Sequence, residues 1–339
     1  MEESRRERKE NGQVLVLFAL MLVVLCGLVA LAVDAGTIFL ERRHLQNAAD
    51  SAAIAGTLEL PQSSALANDK AMEWAQNNGI DLNDGDQIQI SVSNDQSSVT
   101  VEVTRETPFF FGRVLGLSTI DVSASATAQV GSPDSLSGIL PFGVLESAIN
   151  YDGSPTVLKY DSNNPMNGNF AALRVDGNGS KVLEETIKNG SETAVCATSQ
   201  PSCSDPTLST ETGNTISAVR NGFNFLLDST SEQCDDFDEV LIPRGDGSYN
   251  VYGPCNPFAG SSESYKLVLL PVVESYCNGN CDVTLLYFVA GYLNDLESCT
   301  GNACEVTITF VKTVVDPTSD AILGIYDEDS GVKFVRLIE

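Results

Sequence analysis

Nine cysteines, a single histidine and 46 acidic residues are the groups in this chain best suited to chemistry. Eight of the cysteines lie between residues 196 and 304, and the ninth, Cys26, sits inside an apolar run. An even number of thiols outside that run fits a disulfide framework, which persists in an oxidising compartment. Pairing neighbours in sequence gives Cys196–Cys203, Cys234–Cys255, Cys277–Cys281 and Cys299–Cys304. The first two are favoured over the last two, although sequence does not choose among the possible connectivities. The competing chemistry is zinc, because Cys277-x3-Cys281 and Cys299-x4-Cys304 stand near ribbon spacing. It would require reduced thiols, against the compartment argument.

His44 is the only histidine and follows the apolar run closely, where interfacial anchoring explains it. A Ser-His-Asp or Cys-His hydrolase beyond it is therefore excluded. Gly-x-Ser-x-Gly, Walker-type and Gly-x-Gly-x-x-Gly loops are absent. Asp176-Gly177-Asn178-Gly179-Ser180 begins like a calcium loop, but the position of the bidentate Glu holds Ile187. A plain Asx/Gly turn is the better reading. Asp235, Asp236, Asp238 and Glu239 read as a solvated loop rather than a cation site. Carboxylates are abundant, but a glycosidase needs two at a fixed separation, which abundance does not supply. The expectation is a non-enzymatic chain with no catalytic residue, cofactor or metal.

These residues must be positioned by elements, and the first is decisive. Val14–Val33 is twenty residues without a charge, the length that crosses a hydrocarbon core of about 30 Å. The apolar stretches Lys266–Val273 and Leu285–Leu293 are too short to span and suit buried strands. Arg5, Arg6, Arg8 and Lys9 precede the span and Arg42 and Arg43 follow it, a bias toward a cytoplasmic N-terminus. A cleaved signal peptide is the alternative, but its apolar region would be shorter and would end at a small-residue site. Asp34 at the outer end of the run would reach headgroup water. Ala32-x3-Gly36 and Cys26-x3-Ala30 place small residues one turn apart, which permits helix packing and self-association in lipid.

The formal net charge is −27, and the basic and acidic residues among the first twelve cancel, so the excess lies beyond the span. Such a surface repels phosphate backbones, and nucleic acid is excluded as a partner.

The Ala-rich, Pro-free stretch after Gly36 continues the membrane helix outward, with Leu45, Ala48, Ala49, Ala52 and Ala55 on one face. Pro61 ends it. Ser64–Asn78 reads as a second helix, with Leu66, Met72 and Trp74 among its apolar residues and Gly79 as its stop. Gln87–Val92 and Ser98–Thr104 alternate as a hairpin, with Ile88, Ile90, Val92, Val99, Val101 and Val103 toward the core. Pro108 opens a short helix, and Asp121–Val130 alternates again, giving the order ααββαβ.

Gly12-Gln13 before the apolar run, Val33-Asp34-Ala35-Gly36, Leu45-Gln46-Asn47-Ala48-Ala49-Asp50, Ala53-Ile54-Ala55-Gly56, Phe109-Phe110, Leu115-Gly116 and Val122-Ser123-Ala124-Ser125-Ala126 together resemble the TadE/TadG-like family of Flp (tight-adherence) pilus assembly. The resemblance covers about the first 130 residues and is most specific at the join between the membrane helix and the Gln-Asn-Ala-Ala-Asp-Ser-Ala helix. It implies a single-span envelope protein with pilus-assembly or envelope partners. TadE-like members resemble pseudopilins cut after a Gly that has a Glu five residues on; here Gly12 has Leu17, which favours an uncleaved anchor. TadG-like members often carry a von Willebrand A domain, whose Asp-x-Ser-x-Ser loop does not follow Asp34, Asp134 or Asp228.

Gly131-Ser132-Pro133-Asp134 is a turn-rich break, and dense Gly/Asn/Asp turns follow between short β-branched runs. The expected fold class is α+β: a cytoplasmic tail over 1–12, a transmembrane helix over 13–40, an α+β module over 41–130, and a mainly antiparallel, disulfide-bearing domain over 131–339. Lys181–Lys188 and Thr215–Asp228 are expected as its helices and Val306–Val315 as its clearest strand. The expected function is a membrane-anchored envelope protein of a bacterial or archaeal cell, its bulk extracytoplasmic, with the lipid bilayer and other assembly proteins as partners. The alternatives are a processed pseudopilin or minor pilin, and a surface adhesin or carbohydrate-binding protein on a Tad-like anchor.

Overall fold

The computed structural model describes residues 13–197, 205–257, 263–277, 279–315, 322–324, 326–327 and 329–338. The expected tail over 1–12 lies outside them. Two compact units divide the chain, Met1–Gln129 with Leu337–Glu339, and Val130–Arg336.

In the first unit, α1 (Gln13–Thr57) is one unbroken helix, as expected for a run free of proline. α2 (Ser64–Asn77) starts on Ser63, whose hydroxyl accepts from the Leu66 amide at 3.1 Å. The third helix is only a 3-10 turn over Gly112–Leu115, closed by Gly116 at φ +87°. The strands are β1 (Gln87–Val92), β2 (Ser98–Pro108) and β3 (Thr119–Gly131), paired in that order and antiparallel.

Core faces follow from residue size. Leu45, Ala48, Ala49, Ala52 and Ala55 are buried on α1, as their spacing implies. On α2 the buried face is Ala67, Ala71 and Ala75, whereas Leu66 and Trp74 are 42% and 47% exposed. The apolar bulk of α2 thus points outward, because the two helices meet closely. A Cβ on Gly56 would stand 2.8 Å from the Ala67 carbonyl oxygen and 3.0 Å from Ala71 Cβ. The sheet obeys the same constraint: Val99, Val101 and Val103 of β2 lie opposite Ala128, Ala126 and Ala124 of β3.

The second unit comprises β4 (Pro133–Leu136), β5 (Phe142–Leu145), β6 (Thr156–Asp161), β7 (Phe170–Ala172), α3 (Ser180–Asn189), β8 (Val195–Cys196), β9 (Thr207–Ser209) and α4 (Ile216–Asp228). There follow α5 (Phe237–Val240), β10 (Leu241–Pro243), β11 (Ser248–Val251), β12 (Leu267–Val273), β13 (Asp282–Thr300), β14 (Ala303–Val314), β15 (Ile322–Leu323) and β16 (Val332–Ile338). Pairing is mainly antiparallel, and the ladder β5-β7-β6-β14-β13-β12 returns to β5, forming a ring. The pairs β5–β12 and β6–β7 in this ring are parallel. All seven residues of β12 are buried: Val268, Leu270 and Val272 enter one core cluster, and Leu267, Leu269 and Val273 the other. A strand covered on both faces reads as a continuous apolar run. α3 and α4 pack on the first core through Leu183, Ile187, Val219, Phe223 and Leu226.

Candidate functional site

The feature that distinguishes this chain is the passage of α1 from an apolar stretch into a packed module. Among described residues α1 is the one helix long and apolar enough to cross a membrane. Its large apolar side chains stand free, Phe18 at 65% and Met21 at 64% exposure. Ala32 and Gly36 are exposed as well, and among the described residues nothing lies within 4 Å of where a Gly36 Cβ would be. Cys26 is a free, exposed thiol on the same run.

Where α1 leaves the apolar run, Arg105 of β2 gathers three other segments. Its guanidinium donates to both Asp86 oxygens, Nε to Oδ1 at 2.7 Å and Nη2 to Oδ2 at 2.5 Å. Nη1 donates to Glu41 of α1 at 2.6 Å, and Nη2 to the Gly79 carbonyl after α2 at 2.7 Å. The planar fork suits this use, since it meets a carboxylate bidentately and keeps further donors free. The hydrogen bond from Arg105 holds the Asp86 carboxyl below its ordinary range, against the opposing effect of burial. Asp86 also accepts from the Asp81 amide at 2.8 Å. An open cleft of about 950 Å³ lies over this cluster, lined by Gln76, Gly79, Ile80, Asp81 and Asp86 among others. The two carboxylates of the cluster are tied up in ion pairs, which suits a structural clamp rather than proton transfer.

Asp34 departs from expectation. Its residue is only 8% exposed and does not turn to headgroup water. The carboxylate accepts from the amides of Phe110 at 2.7 Å, Phe111 at 3.0 Å and Gly112 at 2.7 Å, holding the turn between β2 and β3 against the helix. His44 is exposed, and its ring lies beside Gly79.

In the second unit, Cys234 is joined to Cys255, Cys277 to Cys281 and Cys299 to Cys304 as disulfides. Cys196 is also disulfide-bonded, and Cys203, its expected partner, lies outside the described residues. The four cysteines weighed as zinc ligands form two bridges near opposite ends of β13, too far apart to share an ion. Asp176 accepts from Thr193 N at 2.8 Å, Glu192 N at 3.2 Å and the Thr186 hydroxyl at 3.0 Å, so it braces its loop. Asp235 in the acidic run pairs with Lys266, and its carbonyl accepts from Tyr292. No group of three or more His, Cys, Asp or Glu with metal-site geometry occurs among the described residues.

Sequence reasoning missed Arg105, Glu41 and Asp86. One signal was available: Arg105 is a lone cation at a core-facing end of β2, which calls for a carboxylate partner.

No curated protein and no solved structure is matched by this chain. Residues 12–69, which cover the apolar run, the rest of α1 and the start of α2, match the family model Tad, described as putative Flp pilus-assembly TadE/G-like, and to that model this stretch is similar.

Proposed function

We propose that the protein is a non-enzymatic, single-pass envelope protein that supports Flp/Tad-type pilus assembly or surface adherence. Its N-terminus is cytoplasmic, the α+β module over 41–130 lies on the outer side of the membrane, and the domain over 131–339 engages other assembly or envelope components. The observation that carries the reading is the continuity of α1, which bears the Tad-matching segment from an apolar stretch of membrane length into the packed Ala face. Disulfides in the second unit favour an oxidising, extracytoplasmic location for it. The exposed Ala32 and Gly36 face offers a surface for helix association within the bilayer.

Mass measurement of the protein isolated from membranes tests the anchor role. An N-terminus that retains the residues before Gly12 is expected, while a mature chain beginning at Gln13 would identify a processed pilin-like subunit instead.

A further inference from the structure

The turn between β2 and β3 carries a concentration of uncovered apolar side chains. Phe110 is 74% exposed, Val114 86%, Leu115 83% and Leu117 53%. From Pro108 to Ile120 there is no acidic residue, in a chain whose net charge is −27, and the single charge there is Arg113. A contiguous apolar patch of this kind marks an interaction surface.

Its place along α1 identifies the occupant. Moving along α1 toward its N-terminus, Thr57 meets Ala128, Gln46 meets Ser125, Glu41 meets Arg105, and Asp34 meets Phe110–Gly112. The β2–β3 hairpin therefore runs beside the helix with its tip toward the apolar run. Between residues 14 and 40 Asp34 is buried and Ala30 and Ile38 are half-buried while the others are exposed, and these three lie one helical turn apart on one stripe. Asp34, the contact point of the tip, therefore lies next to Val33, the last residue of the apolar run Val14–Val33.

Seven amides of the tip also find partners inside the chain. The Phe110, Phe111 and Gly112 amides donate to Asp34, and Phe109 N donates to Ser118 O. Val114 N donates to Phe111 O, Gly116 N to Arg113 O and Leu117 N to Gly112 O. Internal satisfaction of this kind is what a non-helical segment requires at membrane depth.

We propose that the tip over 109–120 is a second membrane contact, its Phe110, Val114, Leu115 and Leu117 side chains entering the outer leaflet of the bilayer that α1 spans. Asp34 holds the tip at that depth, and Arg113 extends to the lipid headgroups. The inference rests on the reading of α1 as a membrane span, and its test separates the two.

Trp74 is the only tryptophan and lies on α2. In a Trp74→Phe background, Leu115→Trp, Val114→Trp and Val24→Trp are each introduced into the full chain, reconstituted in vesicles with or without acyl-chain-brominated lipid. Both tip positions are open enough to accept the larger ring. Fluorescence of Val24→Trp and of at least one tip variant falling by about half or more in brominated lipid is the expected result for groups seated among acyl chains. Quenching at Val24→Trp with none at either tip position would overturn the proposal while leaving the span intact. Blue-shifted but unquenched tip emission would assign the patch to a protein partner and overturn it equally. Absence of quenching at all three positions would remove the span, and the proposal with it.

Discussion

Replacing Arg105 with alanine deletes four charge-assisted hydrogen bonds at once. Asp86, whose side chain is 3% exposed, would keep only the Asp81 amide, and Glu41 would lose its cation. Stripping one partner from a fully buried ion pair costs about 3–5 kcal/mol. Because the Arg105 side chain is 24% exposed, water relieves part of that loss, and about 3 kcal/mol is expected here. In a folded part of under about 100 residues, this lowers the unfolding midpoint by roughly 12–24 °C. Trp74 makes the assay specific, because the only tryptophan reports on the first unit alone. Arg105→Lys should lie between wild type and alanine, since an ammonium cannot reproduce the fork. The pH dependence has a definite sign. Asp86 has a depressed pKa in the folded protein. Its contribution is therefore present above the unfolded value of about 3.9 and is lost as pH falls through the lower folded value. Arg105→Ala should flatten that acid-side loss. A midpoint shift below about 3 °C for Arg105→Ala, on the same scale, would refute the clamp.

Other sites offer independent checks. Gly56→Val should destabilise the first unit by about 1–3 kcal/mol, read by Trp74 fluorescence, because the new side chain meets Ala67 and Ala71. The Cys234→Ser, Cys255→Ser pair opens a loop with a sequence separation of 21, and denaturant unfolding of the second unit should show a loss of about 3 kcal/mol. Asp34→Ala should release the β2–β3 turn, seen as faster chymotryptic cleavage after Phe110 or Phe111, with the unfolding of the second unit unchanged.

The elements of the first unit were legible because each left a local signature: a charge-free run, Pro61, Gly79, and period-2 alternation across Ser93–Ser97. The face of α2 was not, because hydrophobicity points to Leu66, Met72 and Trp74 while close approach to Gly56 selects alanine. The roles of Arg105 and Asp34 were hidden for a different reason. Their partners lie 19 and 64 residues away for Arg105 and 76 to 78 residues away for Asp34, distances at which only the folded chain brings the groups together. In the second unit, α3, α4 and β14 were readable from periodicity, whereas the ring closed by parallel pairing of β5 with β12 has no local signal.

We propose that one helix divides a cytoplasmic tail from an oxidised exterior, and thiol labelling distinguishes the two sides. Sealed vesicles of known orientation are treated with a membrane-impermeant maleimide before and after reduction, and the sites are read by mass. The expected result is that Cys234, Cys255, Cys277, Cys281, Cys299 and Cys304 label only after reduction and only from the extracytoplasmic face, with Cys26 protected throughout. Free labelling of those cysteines without reductant, or labelling from the cytoplasmic face, would contradict it.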